Sequence, residues 1–230
     1  MCKNILDVRC DNRELFEAAI THPSYTQEKG LSFLKNYERL EFFGDSVLKL
    51  YSSKLLMEKY PDYNEGKLSK IRSILVSDAT IAQIAYNIGL NKIIVLSESE
   101  EKQGGRTRES NVACAMEAIL GAYYLDNKQK IIEDFLNYHL VKYIEEIDTN
   151  FERYNAKAVL QEYTQAQTKK LPEYETIEIS GPAHKPTFEV QVKYNNQILA
   201  KAKGASKKEA QQNCAYQACI NLGVIKENNE

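Results

Sequence analysis

The chain has 230 residues and a mass of 26.3 kDa, enough for one large domain or two modest ones. Its 43% apolar and 27% charged content excludes wholesale disorder, and no apolar run approaches the ~18–20 residues that a membrane span needs. The net charge of −2 hides an uneven distribution: residues 181–210 hold six lysines against two glutamates, which suits either a polyanion or a solvated lysine-rich face.

Up to about residue 147 the apolar residues recur at spacings of three and four, the period of helices. A first helix over Leu15–Ile20 is expected to stop at Thr21-His22-Pro23, since proline disfavours helix in the residue before it. Residues 36–60 read as one long helix closed by Pro61. Further helices are expected at Glu65–Ser77 and Asp78–Asn87, the latter ended by Gly89. Gly104-Gly105 breaks the pattern and opens a basic loop to Arg108. Helices over Ser110–Asp126 and Ile131–Glu146 complete an all-α block of about seven.

After Thr149 the texture changes. Ala156–Gln167 reads as a helix with Asn155 as its N-cap. Phe188, Val190, Val192 and Tyr194 alternate as in a half-buried strand. Ile177 and Ile179 mark one partner strand, and Ile198, Ala200 and Ala202 another, with turns at Gly181-Pro182 and Asn195-Asn196. Ser206 and Glu209 form a capping box that opens a last helix to Leu222. The fold class is therefore an all-α domain followed by a small α+β domain, α-β-β-β-α, whose three-stranded antiparallel sheet is covered by two helices. The expected boundaries are 1–148, a linker at 149–154, 155–225, and a tail at 226–230. Five cysteines without C-x-x-C spacing argue against a disulfide framework and a zinc site. Residues 1–10 show no cationic start leading into an apolar stretch, so no secretory leader is expected. A cytoplasmic protein, with no membrane and no small-molecule cofactor, is the expectation.

The segment Tyr37-Glu38-Arg39-Leu40-Glu41-Phe42-Phe43-Gly44-Asp45-Ser46-Val47-Leu48 carries the chemistry. At 100° per residue, Glu38, Glu41 and Asp45 fall within about 60° of each other on a helix otherwise largely apolar. Acids so placed repel one another and resist desolvation, so they call for a cleft and a counter-cation. The alternative is a surface acidic stripe neutralised by Lys49. Glu117 stands among small and apolar residues, with Ser110, Cys114 and Gly121 on its side of a second helix. Oxygen ligands from two core helices suit a hard divalent cation, which activates water and stabilises a phosphoryl transition state.

Residues Asn36–Leu48 resemble the signature of ribonuclease III, with Tyr37 an extra residue after the asparagine. Glu65-Gly66-Lys67-Leu68-Ser69-Lys70-Ile71-Arg72 is similar to the family's second acidic motif, although Lys67 stands where an acid is common. Gly104-Gly105-Arg106 and Met116–Asp126 resemble the third. The resemblance spans almost the whole chain. It implies a homodimeric, Mg²⁺-dependent endonuclease, with Mn²⁺ as a substitute, that hydrolyses double-stranded RNA. It further implies 5′-phosphates, short 3′ overhangs and a part in ribosomal and messenger RNA processing. Carried over by position, Glu41 and Glu117 would be metal ligands. Asp45 would act with Glu117 in catalysis by positioning the water, and Glu38 and Glu65 would be outer acids. The family usually has an aspartate three residues before the catalytic glutamate. Here that position is Cys114, whose thiol, with a reference pKa of about 8.5, is mostly neutral at pH 7 and soft for Mg²⁺. No neighbouring carboxylate substitutes for it: Glu109 lies eight residues before Glu117, roughly 80° around the helix. The alternative function is a catalytically decayed double-stranded RNA-binding or ribosome-associated protein of the same family.

The C-terminal unit resembles a double-stranded RNA-binding domain. Independently of that, Lys207 and Lys208 occupy the first turn of a helix, where the macrodipole favours acids; two cations there suggest a phosphate clamp. The alternative is a pair of exposed lysines tolerated at small cost. The resemblance implies that Glu162 and Gln165 meet one minor groove, His184 the next, and Lys207 and Lys208 the phosphates between.

Overall fold

Pro23 does not end a helix; it begins one. In the computed structural model, which describes residues 10–181 and 186–226, α1 (Arg13–Ala19) gives way to α2 (Pro23–Glu28). His22 is the N-cap of α2, its Nδ1 accepting from the Ser24 N–H at 3.0 Å, and proline fits the first helical position because no partner for its nitrogen is needed there. Next come α3 (Glu38–Lys59), α4 (Glu65–Leu75), α5 (Asp78–Asn87) and α6 (Glu98–Lys102). The helical series closes with α7 (Glu109–Leu125) and α8 (Gln129–Thr149). The expected seven helices become eight among the described residues, because α2 and α6 are too short to show a period.

The chain divides into two compact units, Met1–Ile147 and Asp148–Glu230. In the first, α7 is the central element: Val112, Ala115, Ala118, Ile119, Leu120 and Tyr123 are fully buried. It packs against α3, α5 and α1. The motif asparagine has a structural task. Asn36 is buried, donates to Thr26 Oγ1 at 3.2 Å, and accepts from the Glu38 N–H at 3.1 Å, so it ties α2 to the start of α3. The basic loop after Gly105 is largely neutralised: Arg106 grips Glu101, and Arg108 reaches Glu100 at 2.6 Å.

The second unit comprises α9 (Phe151–Thr168), β1 (Glu173–Ser180), β2 (Thr187–Tyr194), β3 (Gln197–Gly204) and α10 (Lys207–Asn221). The sheet is antiparallel in the order β1-β2-β3. The β2–β3 turn has positive φ at both Asn195 and Asn196 (49° and 63°), as two-residue hairpins require. Val190, Val192 and Ala200 of the sheet meet Ala156 and Leu160 of α9 and Ala210, Cys214, Ala215, Ala218 and Cys219 of α10, a core of mostly small residues.

Two expectations are corrected here. Asn155 is not an N-cap: α9 starts at Phe151 after Asn150, so residues 151–154 of the expected linker are helical. Nothing between Thr149 and Asn155 is glycine or proline, so no residue there breaks a helix. Ile177, Ile179 and Ile198 do mark strands, but they are exposed rather than core-facing. A bulge between Thr176 and Glu178 shifts the register of β1, and a second irregularity lies between Val192 and Lys193. Each interrupts the simple alternation of its strand.

Candidate active site

Two glycines bring the acids together. A Cβ on Gly44 of α3 would lie 1.8 Å from the Glu117 carbonyl oxygen, and one on Gly121 of α7 would lie 2.5 Å from the Leu40 carbonyl oxygen. The two helices therefore touch backbone to backbone, closer than any side chain permits. Glu41 and Asp45 on α3 and Glu117 on α7 are carried into one cleft of about 820 Å³.

Five acids line this cleft, Glu38, Glu41, Asp45, Asp78 and Glu117, against two cations, Lys49 and Arg72. Lys49 Nζ pairs with Asp45 Oδ2 at 2.6 Å, the partner expected of a surface stripe, but it answers only one acid. Arg72 donates to Ser53 Oγ at 2.8 Å. The surplus is felt most at half-buried Glu117. Desolvation first, then the charges of Asp45, Glu41 and Asp78, push its carboxyl up to about 8, against a smaller opposing pull from Lys49. In the absence of a cation, Glu117 therefore holds a proton at neutral pH.

Cys114 lies on the same side of α7 and donates its thiol to Glu41. Burial, that hydrogen bond and the neighbouring acids push the thiol well above its ordinary value, so it remains a neutral donor rather than a thiolate ligand. Glu65, expected as an outer acid, stands behind Ser69 on α4. Its Oε1 accepts from Ser69 Oγ at 2.6 Å, and Ser69 rather than Glu65 lines the cleft. Asp78, by contrast, was not expected. It is the first residue of α5, where an acid reads simply as a complement to the helix dipole. No spacing rule connects it to α3 or α7, because the approach of α5 to α7 is tertiary.

Among the described residues no three His, Cys, Asp or Glu side chains converge into a metal cage. A divalent cation that keeps much of its water shell needs only one or two protein carboxylates. The all-oxygen donor set and its excess of negative charge suit such an ion. Glu41 and Glu117 are placed to hold it, with Glu38 and Asp78 in the same cleft.

In the second unit, Lys207 and Lys208 are exposed on the first turn of α10. Ser206 Oγ accepts from the Glu209 N–H at 3.1 Å, and Glu209 reaches back to the Ala205 N–H at 2.8 Å. Gly204 seats this helix start on the end of β3, since a Cβ there would lie 2.5 Å from the Ala210 nitrogen. Two other lysines of the basic segment are engaged: Lys193 pairs with Glu175 at 2.6 Å and Lys203 with Glu189 at 3.5 Å. Glu162 and Gln165 are exposed on α9, and His184 lies outside the described residues.

Comparison with known proteins agrees with this division. A ribonuclease-III-like family model matches residues 12–144, and a double-stranded RNA binding motif matches residues 156–222. Ribonuclease 3 of Streptococcus mutans is 42% identical over 212 residues, covering 92% of this chain and 91% of that protein. Ribonuclease 3 of Fusobacterium nucleatum is 37% identical over 228 residues, covering 96% and 97%. Among solved structures, a nuclease domain of ribonuclease III from Campylobacter jejuni, described for structural flexibility in a region involved in dimer formation, is similar. It has a TM-score of 0.53 and 33% identity, over 61% of this chain and 92% of that one. Acids gathered at a glycine-mediated helix contact, followed by an RNA-binding motif in the matched order, place this chain in the ribonuclease III family of double-strand-specific endoribonucleases.

Proposed function

We propose that the chain hydrolyses double-stranded RNA with Mg²⁺, leaving 5′-phosphates and short 3′ overhangs, as a cytoplasmic homodimer that processes ribosomal and messenger RNA. The observation that carries the reading is the gathering of Glu41, Asp45 and Glu117 in one cleft whose five acids outnumber its two cations. A bound cation would offset that charge, polarise a phosphoryl oxygen and lower the pKa of a water. Asp45, fixed by Lys49, orients the attacking water; its oxygen ends on the 5′-phosphate while the 3′-oxygen leaves as a hydroxyl. Glu41 and Glu117, which line the cleft, would hold the cation. Lys207 and Lys208 supply phosphate contacts at the start of α10, where free N–H groups add to their charge.

Self-association is supported by Phe42, 80% exposed on α3. It borders an apolar hollow of about 810 Å³ lined by Leu15, Leu34, Leu40, Phe43 and Leu125. A knob beside a hollow on one surface suits a two-fold, self-complementary interface; a solution mass of a single chain would refute it.

Cleavage of a long duplex RNA by the purified protein tests the activity, with Mg²⁺, Mn²⁺ or a chelator. Products are expected with either cation and none with chelator. Glu117→Gln, which keeps the shape of the side chain and removes its charge, should bind the duplex and fail to cut it. The reading of Cys114 as a mark of decayed catalysis predicts binding without products under every cation.

A further inference from the structure

α7 supplies the cleft with a single carboxylate, Glu117, and the residue three places before it, Cys114, is a thiol bonded to Glu41. The cleft nevertheless has another wall. Asp78, at the start of α5, lines it together with Val76, and α5 packs along α7. Asp78 thus shares the cleft with Glu41, Asp45 and Glu117 while standing on a third helix.

We propose that Asp78 is a positioning residue for the cation, supplying from α5 the negative charge that position 114 of α7 does not, and acting on the ion through its water shell. This rests on the reading of the cleft as a cation site. A carboxylate is suited to the task because a hydrated Mg²⁺ or Mn²⁺ ion accepts outer carboxylates as hydrogen-bond acceptors for its waters. The arrangement implies that the α5 start and position 114 are interchangeable sources of one charge. A residue that merely capped α5 would have no such relation to α7.

The test is Mn²⁺ binding to the full-length, RNA-free protein, read by the loss of the free-ion paramagnetic resonance signal. Asp78→Asn is isosteric at an exposed helix start, and circular dichroism would check its fold. Its affinity for Mn²⁺ should fall roughly tenfold or more, as for other partners that act on a metal from outside its direct ligands. Adding Cys114→Asp to Asp78→Asn should restore most of the loss, which repair of a purely structural defect would not do. Glu117→Gln serves as the reference for a lost site. If Glu117→Gln loses binding while Asp78→Asn keeps the wild-type affinity, the assignment of Asp78 is overturned and the cation site stands. If Asp78→Asn weakens binding and Cys114→Asp does not restore it, the exchange of charge between the two positions is overturned. If Glu117→Gln and Asp78→Asn both bind as the wild type does, the cleft is not the cation site and both readings fall.

Discussion

The two units treat charge in opposite ways. On the sheet of the C-terminal unit, Lys193 and Lys203 meet Glu175 and Glu189 across strands, and Gln191 donates to the same Glu175 at 2.8 Å. In the cleft of the N-terminal unit five acids face two cations, and burial together with its neighbouring acids raises the carboxyl of Glu117. Cross-strand pairs of opposite charge add modest stability, whereas crowded carboxylates subtract from it. The lysine count of residues 181–210 thus overstates what is available to a polyanion. The acid count of α3 understates what is available to a cation, since α5 and α7 add to it.

The sharpest way to break this comparison is to separate α3 from α7. Gly44→Ala places a methyl group inside the Glu117 carbonyl, and neither backbone can yield without moving its helix. A loss of about 3 kcal/mol is expected from such overpacking, a fall in melting temperature of roughly 6–12 °C for a unit of this size, together with loss of cleavage. Unchanged melting would mean that the helices do not meet as described.

An intermediate effect is expected at the start of α10. Lys207→Ala with Lys208→Ala should lower the slope of log affinity against log salt by somewhat under one unit per lost phosphate contact. Melting should stay near the wild type, because both side chains are exposed. A salt slope equal to that of the wild type would place these lysines with the neutralised ones of the sheet.

The smallest effect concerns the proton on Glu117. Its folded value of about 8 lies above the ordinary 4.5, so the folded state retains a proton that the unfolded chain releases in between. With chelator present, stability should therefore fall as pH rises from 4.5 through 8. Glu117→Gln removes that group's contribution, and its melting temperature at pH 8 to 9 should exceed the wild type's. Parallel pH profiles for the two proteins would show that the acids are not crowded.

Much of this was legible because it is local or periodic. The acids of α3 share a face by helical geometry alone, and Glu117 stands out within a run of small apolar residues. The strands declare themselves by the alternation from Phe188 to Tyr194. What escaped the sequence depends on contacts between elements. Asp78 belongs to the cleft only because α5 lies along α7. Glu65 is taken up by Ser69, a turn away on its own helix, and so does not line the cleft. Pro23 could have been read as a helix start as readily as a stop, and His22, an unusual cap, concealed the choice. The isoleucines of β1 lost their place to a bulge, which no alternation rule foresees.

The thiols have a practical consequence. Cys214 and Cys219 are fully buried in the C-terminal core, donating to the carbonyls of Ala200 and Ala156, while Cys114 is partly exposed in the N-terminal unit. Alkylation followed by peptide mass analysis therefore reports on the two units separately in one intact chain. Labelling at 214 and 219 requires the C-terminal core to open, so its rate measures the free energy of that opening. Labelling at 114 requires a thiol held protonated beside Glu41 to ionise, so it tracks changes around α7 without altering the clock in the other unit.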